Sequence, residues 1–259
     1  MQLIDIGANL THPAFHGDLP EVLARAGSAG VDRIGVTGTS VQESTAALAL
    51  AKVHDALFCT AGVHPHHASE CDASTIPALR VLAQQPKVLA IGECGLDFNR
   101  NYSPHPDQEK WFRAQVELAV ELKKPLFLHS RDAANEFAAV LKSYVLPNAV
   151  AHCFTGEKAE LHAYLDLGLY IGITGWICDE RRGAQLLQLV REVPKDRLML
   201  ETDSPYLTPR TMRPQPKARR NEPAFLPHVL RTVAETLQKE PERVAEETTR
   251  NARTFFGLP

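Results

Sequence analysis

Residues 88–97 read VLAIGECGLD: an apolar run, Val88–Gly92, that stops on a carboxylate, Glu93. Apolar residues on consecutive rather than alternate positions mark a strand covered on both faces, the habit of parallel sheets. A carboxylate at the end of such a run is costly to bury unless it meets a cation. The same two-part unit recurs along the chain. Strands are expected at Leu3–Ile6, Arg33–Thr37, Leu57–Ala61, Val88–Gly92, Leu126–Leu128, Ala149–Ala151, Leu169–Ile173 and Leu198–Leu200. Metal-capable residues accompany most of them. Asp5 lies in the first, His64 and His66 follow the third, and Glu93 the fourth. His129 follows the fifth, His152 the sixth and Asp203 the eighth.

Helical patterns fill the intervals. Leu19, Val22, Leu23 and Ala26 form one apolar stripe, Phe112, Val116, Ala119 and Val120 a second, and Leu226, Leu230, Val233, Ala234 and Leu237 a third. Ser40-Val41-Gln42-Glu43 reads as a capping box. Strand–helix alternation repeated eight times predicts a (β/α)8 TIM barrel, with an open doubly wound sheet as the structural alternative. In a barrel every residue that follows a strand opens onto one face, the C-terminal mouth, where catalytic groups gather. No linker or low-complexity tract interrupts residues 1–259, so a single domain is expected. The segment Pro205 to Pro223, rich in proline and arginine, reads as a long active-site loop.

Composition narrows the function classes. Hydrophobic residues make up 44% and charged residues 23% of the 259 positions, as in an ordinary globular enzyme. A net charge of −3 supplies no global basic field, so any phosphate-binding surface must be local. The five cysteines include no Cys-x-x-Cys pair, which argues against a disulfide framework or a thiolate zinc site. The N-terminal MQLIDIGANLTHPAF lacks a secretory pattern and no run is long enough to span a bilayer. A cytoplasmic protein is expected, and a monomer, because no exposed apolar stripe is evident.

Glu93, His129, His152 and Asp203 make a mixed nitrogen and oxygen ligand set suited to Mg²⁺, Mn²⁺ or Zn²⁺. If His64-Pro65-His66 stays extended, both imidazoles face one way and either bind metal or handle protons and substrate phosphate. Glu201-Thr202-Asp203 closes the last strand. Asp203 is the candidate proton acceptor there, and Glu201 an alternative partner that orients a ligand. Beyond it the loop carries Arg210, Arg213, Lys217, Arg219 and Arg220, with Arg131 and Arg181-Arg182 as further candidate phosphate contacts.

These residues sit in segments that resemble the TatD deoxyribonuclease family along the whole chain: DIGANL, TAGVHPH, AIGECGLDFNRN, PLFLHSRDA, AHCFTG, YIGITGWICDERRG, ETDSPYL, RRNEP and NARTFFG. The resemblance implies a barrel of the metal-dependent hydrolase type and a Mg²⁺-dependent 3′→5′ exonuclease. It implies single-stranded DNA or RNA ends as substrate, and a role in repair after oxidative damage. It places metal ligands on Glu93, His129 and His152. Asp203 becomes acid/base and an additional ligand, and His64 and His66 line the site. Asn221 and Glu222 fall on the rim. Many relatives carry His-x-His in the first strand, where this chain has Gly7 and Asn9. One tight metal is therefore expected, with a second bound weakly. The rival within the same fold is a small-molecule amidohydrolase or lactonase. Its usual first-strand His-x-His is missing, and the lysines Lys123 and Lys124 precede the fifth strand. A non-catalytic binding scaffold would have no need of the ligand set.

Overall fold

The computed structural model describes residues 2–216 and 219–259, so Lys217 of the basic loop lies outside the described residues. The strands are β1 (Leu3–Ala8), β2 (Val31–Val36), β3 (Leu57–Ala61), β4 (Val88–Asp97), β5 (Leu126–Arg131), β6 (Ala149–Ala151), β7 (Tyr170–Ile173) and β8 (Leu198–Leu200). Between them run α1 (Leu19–Ser28), α2 (Val41–Val53), α3 (Thr75–Ala83), α4 (His105–Leu122), α5 (Ala134–Lys142), α6 (Lys158–Asp166) and α7 (Ala184–Leu189). Helices α8 (Leu226–Leu237) and α9 (Pro241–Phe256) follow the last strand. The strands form one eight-stranded sheet in sequence order, and the described pairings are parallel. This is the element order of a (β/α)8 barrel, as the strand–helix alternation predicts. Among the described residues no helix is long and apolar enough to cross a membrane, and all five cysteines are free.

The chain packs as two compact units. One comprises residues 37–152 and 156–170, and holds β3 to β6. Its core is built on the predicted stripe of α4. Phe112 stacks on Phe137 of α5 with ring centroids 5.3 Å apart, and Phe137 meets Tyr164 of α6 at 5.1 Å. The same buried face of α4 carries two glutamines that grip strand ends. Gln108 Oε1 accepts the Asp97 amide at 2.8 Å, and Gln115 Oε1 accepts the Val63 amide at 2.7 Å. Ser40 Oγ accepts the Glu43 amide at 3.1 Å, the forward half of the predicted box at the start of α2.

The second unit holds residues 1–36, 153–155 and 171–259. Here β1 pairs with β2 and β7 with β8. Val22 and Ala26 of α1 and Leu226, Leu230, Val233 and Ala234 of α8 are buried, as their stripes predict. First and last strands are tied within this unit. The Asp203 amide donates to Gly7 O at 2.9 Å, and the Asn9 amide to Ser204 O at 2.7 Å.

Strand ends differ from expectation. β3, β6 and β8 match, but β4 runs on from Gly92 to Asp97, β5 from Leu128 to Arg131 and β1 from Ile6 to Ala8. Glu93 and His129 therefore lie within strands rather than after them. β2 begins at Val31 and stops at Val36. The apolar run marks where side chains are covered, whereas the ladder is made by main-chain groups and continues past a polar residue that has partners. Two glycines make the extension of β4 feasible. A Cβ on Gly92 (φ +136°) would lie 2.1 Å from Phe127 O, and one on Gly95 (φ +149°) would lie 1.8 Å from His129 O. Both positions need glycine for backbone angle and for close approach to β5.

Candidate metal centre

The period of two along the extended β4 sends Glu93 and Asp97 to one face, with Gly95 between them. Both carboxylates are buried. Glu93 Oε1 lies 2.7 Å from His152 Nε2, 3.1 Å from His129 Nδ1 and 3.2 Å from His64 Nε2. Asp97 Oδ2 lies 2.8 Å from His66 Nε2 and 3.3 Å from His129 Nε2. Thus the segment after β3, the strands β4 and β5 and the residue after β6 each deliver a side chain to one cluster. His152 is set by stacking on Phe127 of β5, with ring centroids 4.5 Å apart. His64 reaches the cluster from extended backbone, as the N-cap of a 3-10 turn, Pro65–Glu70, and His66 from within that turn. Pro65 presets the turn's first φ and His64 caps it.

Imidazole nitrogens grouped around one carboxylate oxygen suit a divalent cation. His64, Glu93 and His129 present ligand atoms within 4.8 Å of one another. His129 Nε2 is buried without a hydrogen-bond partner, because its approach to Asp97 lacks hydrogen-bonding geometry. An ion fits these residues. The tautomers sort them further. His64 Nδ1 accepts the His66 amide at 3.1 Å, so a neutral His64 ring carries its proton on Nε2, facing Glu93. A protonated nitrogen donates and has no lone pair for an ion. Burial pushes the His64 imidazole down to about 4 despite Glu93, which keeps it neutral near pH 7.

Burial opposes a charge on Glu93, but His152, His64 and His129 outweigh it and hold the carboxyl well below its ordinary range. Burial likewise opposes ionisation of Asp97, and the neighbouring His129 and His66 imidazoles and the Arg100 amide hold it down. For His129, burial is overcome by Asp97 and Glu93, which raise its pKa. Asp97 is not legible as a site residue from an apolar run that stops at Gly92. Its signal is the i, i+4 spacing from Glu93 in a strand that continues.

In the unit that contains β1 and β8, Asp203 sits in the left-handed region at φ +53°, and its Oδ1 accepts from Asn9 Nδ2 at 3.0 Å. Asn9 thus holds the Asp203 carboxylate. Glu201 is buried and accepts the Cys153 amide. Asn221 is fully buried. Its Nδ2 donates to Thr202 O at 2.9 Å and Tyr206 O at 2.7 Å, and its Oδ1 accepts the Glu222 amide at 3.0 Å. The amide is spent on bracing the segment around Asp203. Arg220 grips Asp18 through two bonds of 2.7 Å, and Glu222 accepts a forked pair from Arg25 at 2.8 and 2.7 Å. Arg220, and then Arg25, hold the Asp18 carboxyl at about 2. Arg182 lies over the Trp176 ring at 5.7 Å. Arg210 lies 3.7 Å from Asp179 and 3.6 Å from Glu180. In the other unit Arg131 ends β5, partly exposed.

Asp5 proves to be a tie between first and last strands. Its oxygens accept from the Thr202 amide at 2.9 Å, Thr202 Oγ1 at 2.6 Å and the Gly7 amide at 3.3 Å. Burial pushes its carboxyl up to about 8 against those donors. Unfolded, an aspartate titrates near ~3.9, so the folded chain binds this proton more tightly. Its stabilising contribution is complete below about pH 4 and is lost as the pH rises toward 8. Wild type is therefore expected to lose melting temperature relative to Asp5→Asn between about pH 5 and pH 8. Parallel melting curves across that range would count against it.

Strand order and buried histidine–carboxylate cluster together define a metal-dependent hydrolase fold with a His/Glu site able to hold a metal. Within that class the assignment is specific. The family model of TatD related DNase matches residues 4–257, and the chain belongs to that family. A Pantoea ananatis protein is 54% identical over 259 residues, covering 99% of this chain and 100% of its own. A Klebsiella pneumoniae protein is 50% identical over 258 residues, covering 99% and 98%. Both are named 3′-5′ ssDNA/RNA exonuclease TatD. Among solved structures, the TatD homolog YjjV from Escherichia coli superposes with a TM-score of 0.91 at 29% identity, covering 99% of this chain and 98% of that one. The protein is thus an enzyme, a hydrolase of the TatD nuclease type.

Proposed function

We propose that the protein is a metal-dependent 3′→5′ exonuclease that removes nucleotides from the ends of single-stranded DNA and RNA. We further propose a monomeric, cytoplasmic protein, as the sequence patterning suggests, and, on the family resemblance, a role in repair after oxidative damage. The observation that carries the activity is the meeting of His64, His129 and His152 on one Glu93 oxygen in a chain whose relatives bear the exonuclease name.

Glu93, His129 and His152 would hold the ion, with Asp203 as an additional ligand. A divalent cation there supplies a Lewis acid for the phosphoryl oxygen and a water of lowered pKa. The remaining chemistry belongs to side chains. Asp97 accepts from His66 and faces His129, so it orients both rings. His64, neutral with its proton on Nε2, offers a hydrogen bond to the leaving 3′-oxygen, which takes its proton from water. Asp203, its carboxylate held by Asn9, takes the proton of the attacking water. His66, Arg131, Arg182, Arg220, Asn221 and Glu222 are the proposed substrate side of the site. Of these, Arg220, Asn221 and Glu222 serve by bracing the loop, since their polar atoms are already engaged. Mg²⁺ is the proposed ion on family grounds. The imidazole content of the set equally suits Mn²⁺ and Zn²⁺. We propose one tight site, with a second filled weakly.

The test is purified protein on 5′-labelled single-stranded DNA and matched RNA with EDTA, Mg²⁺, Mn²⁺ or Zn²⁺, and Glu93→Ala as the contamination control. A ladder shortening from the 3′ end, dependent on metal and absent in the variant, is expected. No cleavage with any ion, the fold being intact, would transfer the assignment to small-molecule ester or amide hydrolysis.

A further inference from the structure

The loop joining β4 to α4, residues 98–104, leaves β4 beside the metal cluster and is held at both sides. Phe98 stacks flat on His105 with ring centroids 3.7 Å apart. Asn101, in the left-handed region at φ +53°, bonds back to Phe98 O at 2.9 Å. Ser103 is completely buried. Its hydroxyl donates to His66 O at 2.9 Å and accepts the Ser69 amide at 3.0 Å, while its carbonyl accepts from Gln108 at 2.8 Å. Between these anchors Tyr102 is 66% exposed. Its ring lies 4.7 Å from that of His66 at an interplanar angle of 70°, and His66 is bonded in turn to Asp97. A large aromatic ring is thus kept in water by backbone that is pinned next to it, one ring away from the cluster. Arg100, two residues earlier, is exposed, and among the described residues its side chain has no ion-pair partner.

We propose that Tyr102 is the stacking platform for a nucleobase next to the cleaved phosphodiester, with Arg100 as the accompanying phosphate contact. The inference rests on the nucleic-acid reading of the substrate given above. An open aromatic face beside a cation is how proteins hold single strands without reading sequence, because every base has a π-face and every nucleotide a charge. A rigid loop suits this role, since the ring loses little freedom when a base stacks on it. Strand-end binding by Tyr102 also explains how a chain of net charge −3 holds a polyanion: local stacking supplements a small local positive field.

The experiment uses Tyr102→Ala, Tyr102→Phe and Tyr102→Trp with a fluorescent oligothymidylate. The same strand is also made with an abasic tetrahydrofuran unit at each 3′-terminal position in turn. Affinity is read by anisotropy in EDTA, and KM and kcat with metal present. Loss of one base–aromatic stack lowers affinity about 5- to 150-fold. Tyr102→Ala is expected to show that loss in affinity and KM with kcat little changed, and the Phe and Trp variants to retain binding. One abasic position should penalise wild type by a similar factor and add nothing in Tyr102→Ala. Wild-type affinity in Tyr102→Ala, at an unchanged melting temperature, overturns the proposal. So does an abasic penalty that persists undiminished in that variant. If wild type binds the strand but does not shorten it, the exonuclease reading fails, while the anisotropy arm still decides the role of Tyr102.

Discussion

Replacing Glu93 by glutamine is expected to abolish tight metal binding and to slow strand shortening by about 10³-fold or more, since Lewis-acid assistance is worth several kcal/mol. The change keeps volume and removes only the charge. Glu93 Oε1 is the atom on which His152, His129 and His64 converge, at 2.7, 3.1 and 3.2 Å. A neutral amide offers a hard cation a weaker oxygen and turns a donor toward imidazoles that themselves present protons or lone pairs. Titration calorimetry should pass from one tight equivalent in the wild type to none in the variant, with circular dichroism unchanged. Tight binding retained in Glu93→Gln would refute the ligand assignment. Two tight equivalents in the wild type would refute the single-site reading.

Asp97→Asn should have a smaller effect of a different kind. Asp97 Oδ2 serves both His66 and His129, and Oδ1 caps the turn by accepting the Asn99 and Arg100 amides at 3.0 and 2.8 Å. Carboxylates that orient metal-bound histidines typically contribute 10- to 100-fold in metal affinity or activity. Asparagine can still cap the turn with its carbonyl oxygen, but its amide nitrogen cannot accept from imidazole. Metal affinity is therefore expected to fall by about 10- to 100-fold, and activity to be restored by raising the metal concentration. Glu93→Gln should show no such rescue. A lowered plateau with an unchanged metal midpoint would mean that Asp97 acts on the reaction directly and not through His129.

The chain's own order of residues was sufficient to reveal the barrel and the heart of the cluster. Glu93, His129 and His152 each stand next to an apolar run, where a polar group must find a partner to be buried, so their convergence follows from strand periodicity and the parallel barrel. What strand patterning left hidden is Asp97, because main-chain pairing outlasts the apolar run when Gly92 and Gly95 let β4 press against β5. The fate of the RRNEP segment was equally hidden. Its arginine and amide read as substrate contacts, yet Arg220 is spent on Asp18, and Asn221 on the carbonyls of Thr202 and Tyr206. Periodicity tells which way a side chain leaves its own element. It does not tell which group waits there when the partner is distant in the chain, as Arg25 is from Glu222 across 197 positions. The sequence by itself determined the fold and the order in which the histidines and carboxylate of the cluster occur. Tertiary packing alone decided which polar atoms remain open to a metal or a substrate and which are consumed in holding the loops, because that depends on distances that no local pattern encodes.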